Sequence, residues 1–425
     1  FMTFCALSSA KGMDIKMKKN DETPEIRFKE FTQAWEHYNL EEMVTRYKDL
    51  VPTPQNGYWK LSVRSHAKGT YLSYVEAGKQ ITEANLSKVI ADALIFNIVF
   101  AWEHAVAITK EEDSKALVSH RFPQFLFHEG FDPKYFEYAI TDLKFKEYLG
   151  LSSPSGAGRN KTLNMNEALK YRFTVPSFEE QKKIGCFLGK LDDLIMLHEQ
   201  KLDKLKKMKK SCLLKMFPQC GATVPEVRFS EFEGEWKKGK LSEYLTISNE
   251  KNKNEIFGKE DVLSVSGDYG VVNQIEFQGR SFAGASVANY GVVEQGDIVY
   301  TKSPLKMNPY GIIKCNCGKT GIVSVLYGVY KPNENVDPYF VQTYFDLDSR
   351  LNEYLRPLIN KGAKNTILVS DEDALQGKVW FAPTVEEQKK IGDFFRELDN
   401  SITKYEQEIN LLNKIKKGCI QKMFV

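Results

Sequence analysis

The sequence predicts an α/β (α+β) chain with two mixed α/β domains separated by two long helices that form an antiparallel coiled coil, with an internal pseudo-two-fold repeat. Three observations predict this architecture. The composition, 42% hydrophobic and 27% charged over 425 residues, is that of a folded protein of several domains. Two segments of the sequence each occur twice. Strand-like and helix-like patterns alternate between these repeats.

The internal repeat defines the domain plan. Residues 24–31 (PEIRFKEF) are echoed by residues 225–232 (PEVRFSEF), and residues 176–217 align without gaps to residues 383–424, with EEQKKIG and KMF in both copies. The segments between these repeats, 41–175 and 242–382, show almost no similarity to each other. The chain therefore contains two copies of one arrangement, in which the flanking segments are repeated and the segments between them are not.

The repeat divides the chain into five segments. We expect a mobile arm or start-site extension over 1–23, a first mixed domain over 24–175, a central repeated helix over 176–224, a second mixed domain over 225–382 and a C-terminal repeated helix over 383–425. Within the mixed domains, β-branched runs predict strands at 59–64, 105–109, 261–266, 297–301 and 321–326, and residues 132–148 predict a helix.

The repeated segments predict long helices. Ser177 to Glu180 and Thr384 to Glu387 fit the capping box, in which the glutamate returns to the first amide of its own helix. Apolar residues then recur at steps of four and three, which is typical of a coiled-coil seam. Nothing else in the sequence covers either seam, so we expect the helices to pack on each other, antiparallel. The predicted interface residues are Ile184, Leu188, Leu191, Ile195, Leu202, Leu205, Ile391, Phe395, Leu398, Ile402, Ile409 and Leu412.

No pattern for catalysis is found. The Gly318-Lys319-Thr320 tripeptide lacks the earlier glycine of a phosphate-binding loop, and Asn308-Pro309-Tyr310 lacks the second proline of the adenine-methyltransferase signature. The six histidines do not fall in a metal-binding arrangement, so we expect no catalytic residue and no metal site. No apolar run reaches the length of a membrane span, and seven unpatterned cysteines indicate a reducing cytoplasm.

A net charge of +3 means that any nucleic-acid surface is local. Five polar loops mix Arg, Lys, Asn, Ser and Gly, which can donate to guanine and adenine edges or approach phosphates. Any one of them could equally be an ordinary polar loop, but five at comparable places in two copies favour DNA. The candidate DNA-binding residues are Arg64, Ser65, His66, Lys68, Thr70, His120, Arg121, Arg159, Asn160, Lys161, Lys302, Ser303, Lys306, Asn308, Lys364 and Asn365.

The two EEQKKIG segments, each after a proline and each opening a long helix, resemble the specificity subunits of type I restriction-modification systems. The resemblance covers the chain from Pro24 onwards. Residues 65–70 (SHAKGT) and 153–160 (SPSGAGRN) also look like one recurring class of recognition domain in that family. It implies that the two mixed domains are target-recognition domains, each reading one part of a split sequence in double-stranded DNA.

The resemblance further implies a noncatalytic subunit that holds two methyltransferase subunits and two restriction and translocation subunits. Adenine N6 methylation with S-adenosylmethionine, and ATP- and magnesium-dependent cleavage, would belong to those partners, with no cofactor in this chain and no membrane contact. The alternative is a stand-alone sequence-specific DNA-binding regulator, in which the helices serve only for dimerisation. Co-purification with a methyltransferase would distinguish the two.

Overall fold

The computed structural model describes residues 13–15, 23–81, 83–154, 161–219, 221–361 and 367–425. The chain divides into two compact units. Unit 1 comprises the chain up to His198 together with Glu408–Val425, and unit 2 comprises Glu199–Gln407. The division falls within both long helices, so each unit contains a part of each. No helix in the described part of the chain has the length and hydropathy needed to cross a membrane.

Two sheets dominate unit 1. A four-stranded antiparallel sheet has the order β10-β9-β12-β4, and a five-stranded sheet has the order β5-β8-β11-β6-β7, with β11 and β6 parallel. The strands are β1 (Met13–Ile15), β2 (Ile26–Phe28), β3 (Glu36–Asn39), β4 (Val44–Tyr47), β5 (Leu50–Pro52), β6 (Tyr58–Val63), β7 (Thr70–Val75), β8 (Asn85–Lys88), β9 (Ala93–Phe96), β10 (Val106–Ile108), β11 (Leu117–Val118), β12 (Gln124–Phe127) and β13 (Arg172–Val175).

The helices of unit 1 differ from the sequence prediction at one place. They are α1 (Leu40–Met43), α2 (Pro133–Ala139), α3 (Leu143–Leu151), α4 (Met165–Ala168) and the first part of the long helix α5 (Phe178–Lys215). The prediction of a single helix over 132–148 is wrong, because the helix is interrupted between α2 and α3. Asp142 caps α3, where its side chain accepts from the backbone N–H of Lys144 at 3.2 Å.

Unit 2 has one four-stranded antiparallel sheet, β15-β22-β19-β20, and several strand pairs. Its strands are β14 (Lys237–Lys240), β15 (Leu245–Ile247), β16 (Leu263–Ser266), β17 (Gly270–Asn273), β18 (Gly291–Val293), β19 (Ile298–Thr301), β20 (Ile312–Cys315), β21 (Gly321–Val323), β22 (Tyr327–Pro332), β23 (Asn360–Lys361), β24 (Ile367–Leu368) and β25 (Lys378–Phe381). Its helices are α6 (Gln274–Gln278), α7 (Pro338–Phe345), α8 (Asp348–Leu355), α9 (Asp371–Ala374) and part of the long helix α10 (Val385–Met423). The predicted strands are confirmed as β6, β10, β16, β19 and β21.

Each unit contains a short strand pair that leads into a long helix. In unit 1, β13 pairs with β3, so that Val175 lies opposite Glu36. In unit 2, β25 pairs with β14, so that Phe381 lies opposite Lys237. The end of each mixed domain is thereby fixed beside its beginning, directly before the helix starts.

The predicted seam residues are largely buried, but their packing is broader than expected. In unit 1, Ile184 and Leu188 are at most 2% exposed and pack in one cluster with Tyr135 and Phe136 of α2. In unit 2, Phe395 is fully buried and packs with Phe340 of α7. The expectation that nothing but the other helix covers the seams is therefore wrong, because α2 and α7 cover the beginnings of the long helices. Leu191, Ile195, Ile391, Leu398 and Leu412 are also buried, and Leu202, Leu205, Ile402 and Ile409 are half-buried.

A glycine makes this helix packing possible in both units. A Cβ on Gly185 would lie 2.9 Å from the backbone carbon of Lys134, and a Cβ on Gly392 would lie 3.2 Å from the backbone nitrogen of Phe340. Only glycine allows so close an approach of a helix to another backbone. The glycine of the EEQKKIG segment therefore has a packing role.

The long helices run antiparallel within each unit. In unit 1, Lys416 of α10 pairs with Asp192 of α5, and Glu408 of α10 lies 3.3 Å from His198 of α5. In unit 2, Lys206 pairs with Glu406 at 2.6 Å, and Lys209 pairs with Asp399 at 2.7 Å. Residue numbers fall on α10 as they rise on α5, which confirms the predicted antiparallel packing. The charged seam position, shared by Lys209 and Lys416, is thus neutralised by equivalent aspartates of the opposite helix.

The short repeated segment, residues 24–31 in unit 1 and 225–232 in unit 2, is here called the clasp. Arg27 donates two hydrogen bonds of 2.7 Å to the fully buried Glu180 of α5. Arg228 donates at 2.7 and 2.8 Å to Glu387 of α10. These glutamates were predicted to cap their own helices, and that assignment is wrong, because both carboxylates are held by the clasp arginines.

The clasp also holds the end of the other long helix. Lys215, near the end of α5, lies 2.5 Å from Glu226. Lys422, near the end of α10, lies 3.5 Å from Glu25. Each clasp therefore ties the start of one long helix to the end of the other, within a single unit.

Candidate nucleic-acid interface

The segment 64–70 forms the turn between β6 and β7 in unit 1. The backbone N–H of Arg64 donates to Gly69 at 2.9 Å, which closes the turn. His66, Ala67 and Gly69 have φ angles of 63°, 49° and 79°, in the left-handed region. Non-glycine residues adopt this conformation at a cost, so contacts from outside must hold the turn in place.

Four hydrogen bonds provide that support. The backbone N–H groups of His66 and Ala67 donate to the carbonyls of Glu103 and His104, each at 2.8 Å. The Ser65 hydroxyl donates to the Glu103 carboxylate at 2.8 Å. The Thr70 hydroxyl donates to Asp113 at 2.9 Å. The turn is therefore fixed in one conformation before any ligand arrives, and Ser65 and Thr70 use their hydroxyls to hold it.

The basic side chains of this turn are at the surface. Arg64, His66 and Lys68 are exposed. The Arg64 guanidinium donates to the Thr70 carbonyl at 2.6 Å and lies 5.1 Å from the centre of the Tyr71 ring. Lys68 has no hydrogen bond or ion pair with any other described residue. The turn thus presents cationic donors on a rigid backbone.

Residues 97–104 bring the other predicted loops of unit 1 beside this turn. The backbone N–H of Ile98 donates to Arg121 at 3.1 Å, and that of Leu163 donates to Ile98 at 2.8 Å. The Lys161 ammonium lies 5.1 Å from the centre of the Trp102 ring. Loops that are distant in the sequence are thereby gathered around one segment.

Buried His104 supports this segment from below. It is 3% exposed, and its Nε2 lies 2.7 Å from the Ile140 carbonyl. Burial lowers the pKa of the His104 imidazole, although the hydrogen bond to Ile140 opposes the effect. The ring is therefore a neutral donor near pH 7, and its role is to hold the backbone that receives the turn.

The remaining predicted residues of unit 1 differ in their side-chain partners. Exposed His120 has its Nδ1 3.1 Å from Glu83, and its backbone N–H donates to the same carboxylate at 3.3 Å. Arg121 is exposed, with no side-chain partner among the described residues. Arg159 and Asn160 lie outside the described residues.

In unit 2, the predicted residues of the segment 301–311 differ in their burial and in their side-chain partners. Lys302 lies 3.0 Å from Asp371 with 18% of its side chain exposed. Asn308 is 8% exposed and donates to Asp348 at 2.8 Å. Ser303 is half-buried, and Lys306 is exposed without a side-chain partner in the described part of the chain. Lys364 and Asn365 lie outside the described residues.

A glycine closes this loop. Gly311 has a φ of 90°, and a Cβ there would lie 1.9 Å from the Thr301 carbonyl oxygen. The N–H groups of Leu305 and Gly311 both donate to the carbonyl of Asn308, at 3.0 and 3.1 Å. The loop is therefore folded on itself, with Lys306 at its exposed side.

The supporting residues Glu103, Asp113 and Trp102 were not found from the sequence. Glu103 lies 38 positions from Ser65, and Asp113 lies 43 positions from Thr70. No local pattern marks such partners, since an isolated acidic residue has no signature. Among the described residues, no group of three His, Cys, Asp or Glu side chains could hold a metal ion.

Comparison with known proteins shows which family part of this chain resembles. The family described as "Type I restriction modification DNA specificity domain" matches residues 40–207. A relative from Methanocaldococcus jannaschii, named for the type I restriction enzyme MjaX specificity subunit, is 23% identical and covers 95% of this chain and 96% of its own length.

A solved structure agrees at the level of fold. The S subunit of a type I restriction-modification system from M. genitalium matches with a TM-score of 0.56 at 14% identity, covering 95% of this chain and 99% of that one. The HsdS subunit from Thermoanaerobacter tengcongensis gives a TM-score of 0.43 at 15% identity over 92% of this chain and 96% of that one.

The match of residues 40–207 to a DNA specificity domain indicates a DNA-recognition subunit. No cofactor requirement belongs to such a subunit itself. Residues 40–207 thus match a type I restriction-modification DNA specificity domain, and over 95% of its length the chain is similar to a type I specificity subunit.

Proposed function

We propose that this chain reads a split sequence in double-stranded DNA, with residues 24–175 and 225–382 as target-recognition domains for one half each. The observation that carries the proposal is the grouping of the turn 64–70, Arg121 and Lys161 around residues 97–104. The loops lie far apart in the sequence, and the structure gathers their basic side chains around one surface segment. A shared ligand explains their position.

The proposed contacts differ in kind. Exposed Arg64, Lys68 and Arg121 can donate to guanine edges or phosphates, and exposed Lys306 can do so in unit 2. Lys302 and Asn308 already bind Asp371 and Asp348, so DNA has to compete for their donors. The full proposed set keeps His66, His120, Lys161, Ser303, Arg159, Asn160, Lys364 and Asn365, together with Ser65 and Thr70 as residues that hold the turn.

The chemistry belongs to partner subunits in this proposal. Two methyltransferase subunits supply adenine N6 methylation with S-adenosylmethionine, and two restriction subunits supply cleavage with ATP and magnesium. The helical segments 176–224 and 383–425 connect the recognition domains and offer the surface for assembly. The complex acts on DNA in the cytoplasm.

The test maps methylated sites after co-expression of the chain with its methyltransferase subunit. Lys68→Ala in the first domain and Lys306→Ala in the second are each expected to weaken binding by about 1–3 kcal/mol if the residue contacts bases. Each variant relaxes only its own half of the methylated sequence. Lys144→Ala is the matched control, because Lys144 is an exposed lysine at the start of α3, outside all proposed loops.

Three outcomes would contradict the proposal. Relaxation of both halves by one substitution would refute independent reading. An unchanged sequence and affinity in both variants would remove these loops from the interface. Tight specific binding by the isolated chain, with no methylation in the presence of the partner, would instead indicate a stand-alone regulator.

A further inference from the structure

A cleft of about 320 Å³ lies in unit 1, between its two main sheets. Strand β4 is at one edge of the four-stranded sheet, and β5 is at one edge of the five-stranded sheet. The cleft is lined by residues of both strands and by the loop between β11 and β12, including Arg46, Lys48, Leu50, Ser119, His120 and Phe122. Of these, only His120 belongs to the predicted DNA-binding set.

The charges in this cleft do not cancel. The acidic side chain of the lining, Glu83, is already paired with the ring of His120 at 3.1 Å. Arg46 and Lys48 are exposed, and neither side chain has a hydrogen bond, ion pair or ring contact with another described residue. By contrast, neighbouring Lys88 is paired with Asp49 at 3.1 Å. Two free cations therefore remain beside a cavity.

The lining suits one kind of anion. Leu50, Phe122 and Pro123 supply an apolar wall, while Ser119 and Asn85 supply neutral polar groups. An apolar wall beside two cations matches a sugar–phosphate unit, whose deoxyribose presents C–H groups and whose phosphate is singly charged. Long flexible cations at an exposed mouth neutralise phosphates well, but they are not fixed enough to select a base.

We propose that this cleft binds the DNA backbone beside the half-site read by unit 1, with Arg46 and Lys48 as phosphate contacts. This inference rests on the proposed function, because it assumes that unit 1 binds duplex DNA. The cleft includes His120, which follows Ser119 in the loop that leads to Arg121, so the backbone contact is continuous with the proposed base-reading loops. It adds affinity to every sequence equally.

The experiment measures binding of the full chain, in complex with its methyltransferase subunit, to two duplexes over a range of salt concentrations. One duplex carries the site mapped by methylation, and the other has the same length and composition in scrambled order. The double variant Arg46→Ala, Lys48→Ala is compared with Arg46→Lys, Lys48→Arg, which keeps both charges, and with Lys144→Ala, which removes a charge elsewhere.

The slope of log K against log salt is expected to become less steep by about 0.9 for each phosphate that the protein no longer neutralises, hence by about 1.8 in the double alanine variant. Affinity falls by the same factor for both duplexes, and the methylated sequence is unchanged. The charge-keeping variant retains the wild-type slope, and Lys144→Ala does not change it.

Two results would overturn the inference while leaving the proposed function intact. An unchanged salt slope in the double alanine variant would show that the cleft does not meet the backbone. A selective weakening on the cognate duplex would show that the cleft reads bases. If the wild-type complex does not distinguish the two duplexes at all, the proposed function fails, and this inference fails with it.

Discussion

The lysine at the equivalent seam position of each unit is neutralised in a different way. In unit 1, Lys416 is paired with Asp192, whose side chain is 41% exposed. In unit 2, Lys209 lies 2.7 Å from Asp399 and also 2.9 Å from Asp346, a side chain only 2% exposed. Asp346 in turn lies 2.6 Å from Lys314. Counting charged side chains alone, an ion pair of two residues in unit 1 corresponds to a network of four in unit 2.

The difference originates in the mixed domains. Asp132-Pro133 opens α2 and Asp337-Pro338 opens α7, and the ninth residue after the aspartate is Thr141 in unit 1 but Asp346 in unit 2. The long helices are alike at this position, so the added carboxylate belongs to the divergent domain. The repeated helices thus supply the lysine–aspartate pair in both units. The divergent domain of unit 2 adds a second carboxylate to that pair.

The largest expected effect tests what the units share. Arg27→Ala leaves the fully buried Glu180 without its partner, and Arg228→Ala does the same to Glu387, which is 1% exposed. Each change is expected to destabilise its own unit by about 3–5 kcal/mol, because an unpaired buried charge remains. Urea unfolding is followed by fluorine NMR of labelled Trp35 in unit 1 and Trp236 in unit 2, both nearly fully buried.

Arg228→Ala should be the more damaging of the two. Arg228 also donates to the carbonyls of Glu233 and Gly234, at 2.8 and 2.7 Å. Lys79→Ala, which removes an exposed pair with Glu76, is the control and should leave both resonances unaffected. Equal small shifts for both arginine variants would show that the clasps contribute little.

A middle-sized effect tests where the units differ. Lys209→Met removes a half-buried cation from two carboxylates and is expected to cost about 1.5–3 kcal/mol. Lys416→Met removes a partner from one exposed aspartate and is expected to cost about 0–1 kcal/mol. The same two tryptophan signals report the cost in each unit. A reversed order would mean that the extra carboxylate does not strengthen the contact.

The smallest effect is the acid dependence of unit 2. Burial alone would raise the pKa of Asp346, but Lys314 and Lys209 outweigh it and lower that pKa below 3.8. Burial lowers the pKa of Lys209, but Asp346 and Asp399 outweigh it and raise that pKa above 10.5. The Asp346 contribution is therefore fully present above pH 3.8 and is lost as the pH falls through its lowered pKa.

The Lys209 contribution is fully present below pH 10.5 and is lost as the pH rises through its raised pKa. The Trp236 unfolding midpoint should accordingly stay level between these limits and fall outside them. Lys209→Met should remove the alkaline decrease. An alkaline decrease of the same size in that variant would assign it to another group.

The sequence predicted the repeated helices more completely than the proposed DNA-binding site. The repeats predicted both long helices, their antiparallel order and the burial of residues such as Leu188 and Leu398, because periodicity reports directly on packing. It misassigned Glu180 and Glu387, since a capping box and a long-range ion pair use the same glutamate. It also missed the break at Asp142, where helical residues continue on both sides of the cap.

The site was predictable only in part. Lys68 and Lys306 could be proposed as DNA contacts because basic loop residues are recognisable in sequence, and the structure shows both to be exposed. That Lys302 and Asn308 bind Asp371 and Asp348 depends on contacts 40 or more positions away, which one sequence does not reveal. The same holds for Glu103, whose position under the turn follows from the folded sheet alone.

Phe424 packs against Tyr135, with ring centres 5.2 Å apart, and Leu412 and Met423 are buried in the core of unit 1. Unit 2 is a continuous stretch of chain, whereas unit 1 needs its first and last segments together. During synthesis unit 1 therefore cannot complete its fold until unit 2 and the C-terminal segment have been made. A stop codon in place of residue 408 would leave all of unit 2 but expose the apolar core of unit 1. Truncation near the C-terminus thus damages the half of the protein that the ribosome made first.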